Sequence, residues 1–65
     1  MVEGFYRKIV DVLKANGCRF VRQGRGDHEI WYSPISDRTF TVDKSCMSRH
    51  TANAVMKQAG IDHRF

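Results

Sequence analysis

The chain has 65 residues, too few for more than one small domain, and such a domain hides only about 60% of its unfolded surface, which excludes a large enclosed ligand cavity. Eleven Lys and Arg against seven Asp and Glu give a formal charge of +4 at pH 7, a balance that tilts toward phosphate groups or an acidic protein as partner, with a merely solvated surface as the alternative. Two cysteines are too few for a secreted disulfide framework, and with no apolar leader and no span of bilayer length a reduced, cytoplasmic protein is expected.

In chain order, Phe5, Ile9, Val12 and Leu13 recur at i, i+4, i+7 and i+8, which predicts a helix over about residues 5–16, ended by Gly17. A strand is expected over 18–23, with Cys18 and Phe20 alternating against Arg19 and Val21, and with Cys18 a small buried apolar side chain. Gly24-Arg25-Gly26-Asp27 is turn chemistry, followed by a strand over 28–33 and a second turn at Pro34-Ile35-Ser36-Asp37. A third strand over 38–42 sets Phe40 and Val42 on one face and Thr39 and Thr41 on the other. Residues 43–47 are polar and without period. Ser48 then caps a helix over about 48–59, with Ala52, Val55, Met56 and Ala59 as its apolar stripe and Gly60 at its end. The expected architecture is α+β: helix, three-stranded antiparallel meander, helix, in a single domain of residues 1–65. Both helices cover one sheet face and leave the other open.

His28 stands at the first position of the middle strand, beside a cationic glycine-rich turn. An imidazole is able both to take and to give a proton on a polyanion. Strand parity leaves two placements. If Trp31 anchors the core, His28 stands on the open face beside Tyr32; if Ile30 and Tyr32 point inward, His28 is a half-buried structural residue. Cys46 and His50 have the separation of two zinc ligands but lack a second pair, so no metal is expected. His50 is a second acid/base candidate or a surface residue, and His63 belongs to a tail, 61–65, where disorder is the default.

Val21-Arg22-Gln23 before the turn, Gly26-x-His28 after it, Thr41-Val42 in the third strand and Lys57-Gln58-Ala59-Gly60 at the end together resemble the HicA toxin family, over about Tyr6 to Ile61. The resemblance implies a fold like that of double-stranded-RNA-binding domains and an mRNA interferase activity in a toxin–antitoxin pair. It also implies His28 as the catalytic residue, with Asp27 in place of the family's serine. An anion beside an imidazole favours its charged form, and with it an acid role. On this reading His28 drives attack of a ribose 2′-hydroxyl on the adjacent phosphate, without metal or other cofactor; the sequence has no acidic cluster for two-metal hydrolysis. Arg22, Arg25 and the turn at Gly26 hold the phosphate, or the two arginines are simply solvated. Tyr32 stacks on a base or reaches a phosphate, or packs on the sheet. The partners implied are mRNA and a HicB-type antitoxin, with no membrane role. The alternatives are a non-catalytic RNA-binding module and a degenerate relative that only binds an antitoxin.

Overall fold

A computed structural model describes residues 4–65. The elements run α1 (Tyr6–Ala15), β1 (Arg19–Gln23), β2 (His28–Ser33), β3 (Arg38–Asp43) and α2 (Arg49–Ala59), a small α+β fold. In α1 the i, i+4 pair Ile9 and Leu13 is fully buried, while Phe5 and Val12 pack at the margin of the core. No side chain caps its start; instead the Phe5 N–H donates to the Cys46 carbonyl at 2.8 Å, tying α1 to the loop before α2. Ser48 caps α2, its hydroxyl accepting from the Thr51 N–H at 3.3 Å. Gly60 ends α2 at φ +74°, a conformation costly for any residue with a Cβ, and a Cβ there would stand 3.0 Å from Ile35 Cγ2.

The three strands form an antiparallel sheet in the order β1-β2-β3. The β2–β3 ladder is unbroken from His28↔Asp43 to Ser33↔Arg38, whereas β1–β2 carries a bulge at Val21, between Phe20 and Arg22. Glu29, Trp31 and Ser33 of β2, with Phe40 and Val42 of β3, face the helices. They join Ile9, Leu13, Ala52, Val55, Met56 and Ala59 in one buried layer. Each such side chain contributes about 1.5–3 kcal/mol by leaving water when it is as large as Leu or Ile. His28, Ile30 and Tyr32 lie on the other face, so parity resolves in favour of Trp31 as the core anchor.

Two polar side chains enter this apolar layer, each with partners. The Glu29 carboxylate accepts from the Tyr6 hydroxyl at 2.8 Å and from the Trp31 indole N–H at 3.1 Å. Burial, and then donation to Glu29, push the Tyr6 phenol above its usual range. The Ser33 hydroxyl donates to the Ala59 carbonyl at the end of α2 and accepts the N–H groups of Ile35 and Ser36 from the following turn.

Two expectations, on Cys18 and on the C-terminal segment, are corrected. Cys18 is buried but precedes β1; its N–H donates to the Leu13 carbonyl and closes the end of α1. Phe20, which follows Cys18 in the alternation, is 49% exposed, because the helices pack over β2 and β3 and leave every residue of β1 exposed; its ring meets Trp31 edge-on. The segment after α2 is ordered against the fold. The Phe65 N–H donates to Asn53 at 2.7 Å and its ring stands edge-on to Phe5. A smaller difference has more consequence for function: β3 continues one residue past Val42, to Asp43.

Candidate active site

The turn between β1 and β2 is fastened from several sides. The Gln23 side-chain amide donates to the carbonyls of Gly26 and His28, both at 2.9 Å, and the Gly24 N–H donates to the His28 carbonyl at 2.8 Å. The His28 N–H donates to Arg25, and the Lys44 N–H donates to the Asp27 carbonyl from the far side. The backbone of His28 is therefore fixed in both directions. Gly26 holds φ +55° with open space where a Cβ would stand, so a ligand is able to approach its main chain closely.

From this backbone the His28 ring projects onto the open sheet face with 51% of its side chain exposed. Its cross-strand partner is Asp43, and Nε2 lies 3.9 Å from Oδ2, too far for a hydrogen bond but an ion pair when the imidazole is protonated. Asp43 is itself held: Oδ1 accepts from the Ser45 N–H at 2.9 Å and from the Ser45 hydroxyl at 2.8 Å. Those two donors, with the His28 charge adding to them, keep its carboxyl below the usual carboxylate range. The carboxylate that pairs with the imidazole is thus Asp43 of β3. The neighbouring Asp27 uses its main-chain carbonyl to bind Lys44.

Arg22 is paired with Ile30, which puts it diagonal to His28 on the same face, about 7–8 Å away by the geometry of antiparallel neighbours and within reach of a guanidinium. Arg25 is exposed at the tip of the turn. Arg22, Arg25, Gly26 and His28 therefore gather at one end of the sheet. Tyr32 lies four residues along β2, about 13 Å from His28. Its hydroxyl donates to Asp37 at 2.6 Å, and the Arg19 guanidinium sits 5.0 Å from its ring centroid. The bond to Asp37, then burial, raise the Tyr32 phenol above its usual range. Tyr32 thus belongs to a second cluster with Arg19 rather than to the His28 end.

Sequence reasoning missed Asp43 and Ser45. The spacing Asp43-Lys44-Ser45 is that of an Asx turn, in which an aspartate accepts from the backbone two residues on, but only the β2–β3 register sets it opposite His28. His50 lies elsewhere. It lines a surface cleft of about 550 Å³ between α2 and the C-terminal segment, with Asn53, Lys57, Ile61, His63 and Arg64 among the other walls. Cys46 is buried with its thiol 3.5 Å from the Ser48 carbonyl. Among the described residues no group of three or more His, Cys, Asp or Glu is disposed to hold a metal ion, and no helix is long and apolar enough to cross a membrane.

An accessible imidazole beside a carboxylate, a guanidinium and an open turn backbone is suited to moving protons next to a bound phosphodiester. The family model described as HicA toxin of bacterial toxin-antitoxin matches residues 6–61. No curated protein and no solved structure matches the chain.

Proposed function

The chain belongs to the HicA toxin family, and from that premise we propose that it is an endoribonuclease that cleaves messenger RNA with His28 as its acid/base group. The observation that carries the reading is the half-exposed imidazole of His28, set between an open, firmly tied glycine turn and a carboxylate. Neutral, the imidazole takes the proton of a ribose 2′-hydroxyl; protonated, it delivers one to the departing 5′-oxygen. The 2′-oxygen forms the new bond to phosphorus as the 5′-oxygen leaves. The products are a 2′,3′-cyclic phosphate and a 5′-hydroxyl, with no metal in the balance. Arg22, Arg25 and the main chain at Gly26 bind the scissile phosphate and offset its growing negative charge. Tyr32, with Arg19 over its ring, contacts RNA farther along the strand.

A likeness to double-stranded-RNA-binding domains belongs to the same reading, supported by the α-β-β-β-α order. So does the partner, a HicB-type antitoxin whose acidic groups cover the open face and His28. The test is cleavage of RNA in chelator by the purified protein and by His28→Ala, with end-group mapping of the fragments. Cyclic phosphate ends that disappear with the imidazole support the mechanism. Cleavage that survives His28→Ala, or 5′-phosphate ends formed only with magnesium, would overturn it.

A further inference from the structure

We infer that Asp43, itself fixed by Ser45, is the positioning residue for His28: it holds the ring by its Nε2 edge and leaves Nδ1 to meet the RNA. This rests on the reading of His28 as the acid/base group and adds to it the origin of the ring's orientation.

Three observations carry the inference. The contact between His28 and Asp43 is the single approach within 4 Å of a basic side-chain nitrogen to a carboxylate among the described residues, in a chain with eighteen Asp, Glu, Lys and Arg. Other charges near the ring come from Arg22 on β1, Arg25 and Asp27 in the turn, and Lys44 beyond β3, but Asp43 alone makes that contact. The two Asp43 oxygens also have separate partners. Oδ1 is taken up by both Ser45 donors, which turns Oδ2 toward Nε2. Finally, both groups stand on strands rather than loops, as a directly opposed pair at the end of an unbroken ladder. An imidazole on a half-exposed face is otherwise free to rotate about two side-chain bonds, and the Asp43 carboxylate beside Nε2 favours the arrangement that turns that edge toward β3. Half of the His28 side chain is exposed, and the nitrogen that does not face Asp43, Nδ1, is the one assigned to the substrate. The 3.9 Å gap closes as the ring gains a proton during the reaction and the pair becomes one of full opposite charges.

The experiment is steady-state cleavage of one RNA by the full chain and by His28→Ala, Asp43→Ala, Asp43→Asn and Ser45→Ala, with melting temperatures for each. Asp43→Ala is expected to lower kcat about 10²-fold, the usual cost of a misplaced reacting group, with KM and melting temperature little changed. Asp43→Asn keeps an oxygen able to accept from Nε2–H and is expected to restore part of kcat. Ser45→Ala retains the backbone donor and gives a smaller loss. A 2′-deoxy version of the same strand, which binds without being cleaved, is expected to shift the Nδ1 resonance of ¹⁵N-labelled His28 more than Nε2. Inactive His28→Ala with fully active Asp43→Ala overturns this inference alone. A lower KM in Asp43→Ala at unchanged kcat does the same, showing a carboxylate that merely repels RNA. Active His28→Ala overturns the parent reading instead. A dominant shift at Nε2 overturns the assignment of the working edge.

Discussion

Ser33→Ala removes one oxygen atom and, with it, three hydrogen bonds at the junction of β2, the second turn and α2. The side chain is fully buried, so water does not replace it without opening the layer. The principal loss falls on the Ala59 carbonyl, one of the last in α2 and without a partner in the next helical turn; the Gly60 and Ile61 N–H groups are committed to Lys57 and Met56. A buried acceptor left unpaired costs about 1–3 kcal/mol. The bonds from Ile35 and Ser36, at 3.2 and 3.4 Å, lie in a partly exposed turn and add less. A total of about 2 kcal/mol is a large fraction of what a domain of this size possesses, roughly 3–10 kcal/mol. It corresponds to a fall in melting temperature of roughly 8–16 °C. Trp31, the single tryptophan and a buried one, reports unfolding by fluorescence in urea and heat. Ser33 lies five residues from His28 on the opposite face, about 17 Å along the strand. RNA cleavage by the folded protein is therefore expected to match the parent at 20 °C. A melting temperature within about 2 °C of the parent, at equal urea dependence, would refute the reasoning, because the hydroxyl would then not be the strut between β2 and α2.

Tyr6→Phe removes one of the two donors to buried Glu29 and is expected to cost about 1–2 kcal/mol in urea unfolding, without affecting RNA cleavage at low denaturant. Tyr6 and Tyr32 both have phenols raised above the ordinary 10.0; the stability this brings is complete below pH 10 and is lost as the pH climbs through the raised values. Melts from pH 9 to 11.5 are expected to fall more steeply for the parent than for a Tyr6→Phe, Tyr32→Phe double variant. Gly60→Ala strains a left-handed backbone and presses on Ile35, so its melting temperature is expected to drop by more than that of Gly26→Ala, which shares the strain but meets open space. Arg22→Ala is expected to weaken single-stranded RNA binding and reduce the slope of log affinity against log salt by about 0.7, as loss of one phosphate contact requires; an unchanged slope assigns Arg22 to solvent.

Periodicity made the helices legible. Ile9 and Leu13, and the stripe from Ala52 to Ala59, are buried as their spacing demands, and both ends of α2 follow from Ser48 and Gly60. Alternation was a weaker guide in β1, because Phe20 shares the parity of a core residue while its exposure depends on how far the helix layer extends. No local pattern contains that distance. Asp43 was hidden for a related reason. Its charge suggests a loop, and its relation to His28 exists only through a register set by the intervening turn and the whole β2–β3 ladder. The C-terminal segment has little periodicity of its own and is ordered through distant partners, Asn53 and Phe5.

That register is set by the face of β2 that takes no part in the proposed chemistry. A slip of one residue against β3 would send Glu29, Trp31 and Ser33 outward and bring His28, Ile30 and Tyr32 under the helices. It would break the bonds of Glu29 to Tyr6 and of Ser33 to Ala59, and leave polar groups without partners. Apolar residues alone specify the register less sharply, since Ile30 would fill part of the space that Trp31 vacates. The buried carboxylate and hydroxyl admit no such exchange, because each needs its partners at fixed positions. The bulge at Val21 lies on the other side of β2, so it adds a residue to β1 without disturbing the pairing with β3. His28 consequently meets Asp43 across the one strand pair whose alignment the core enforces along its full length.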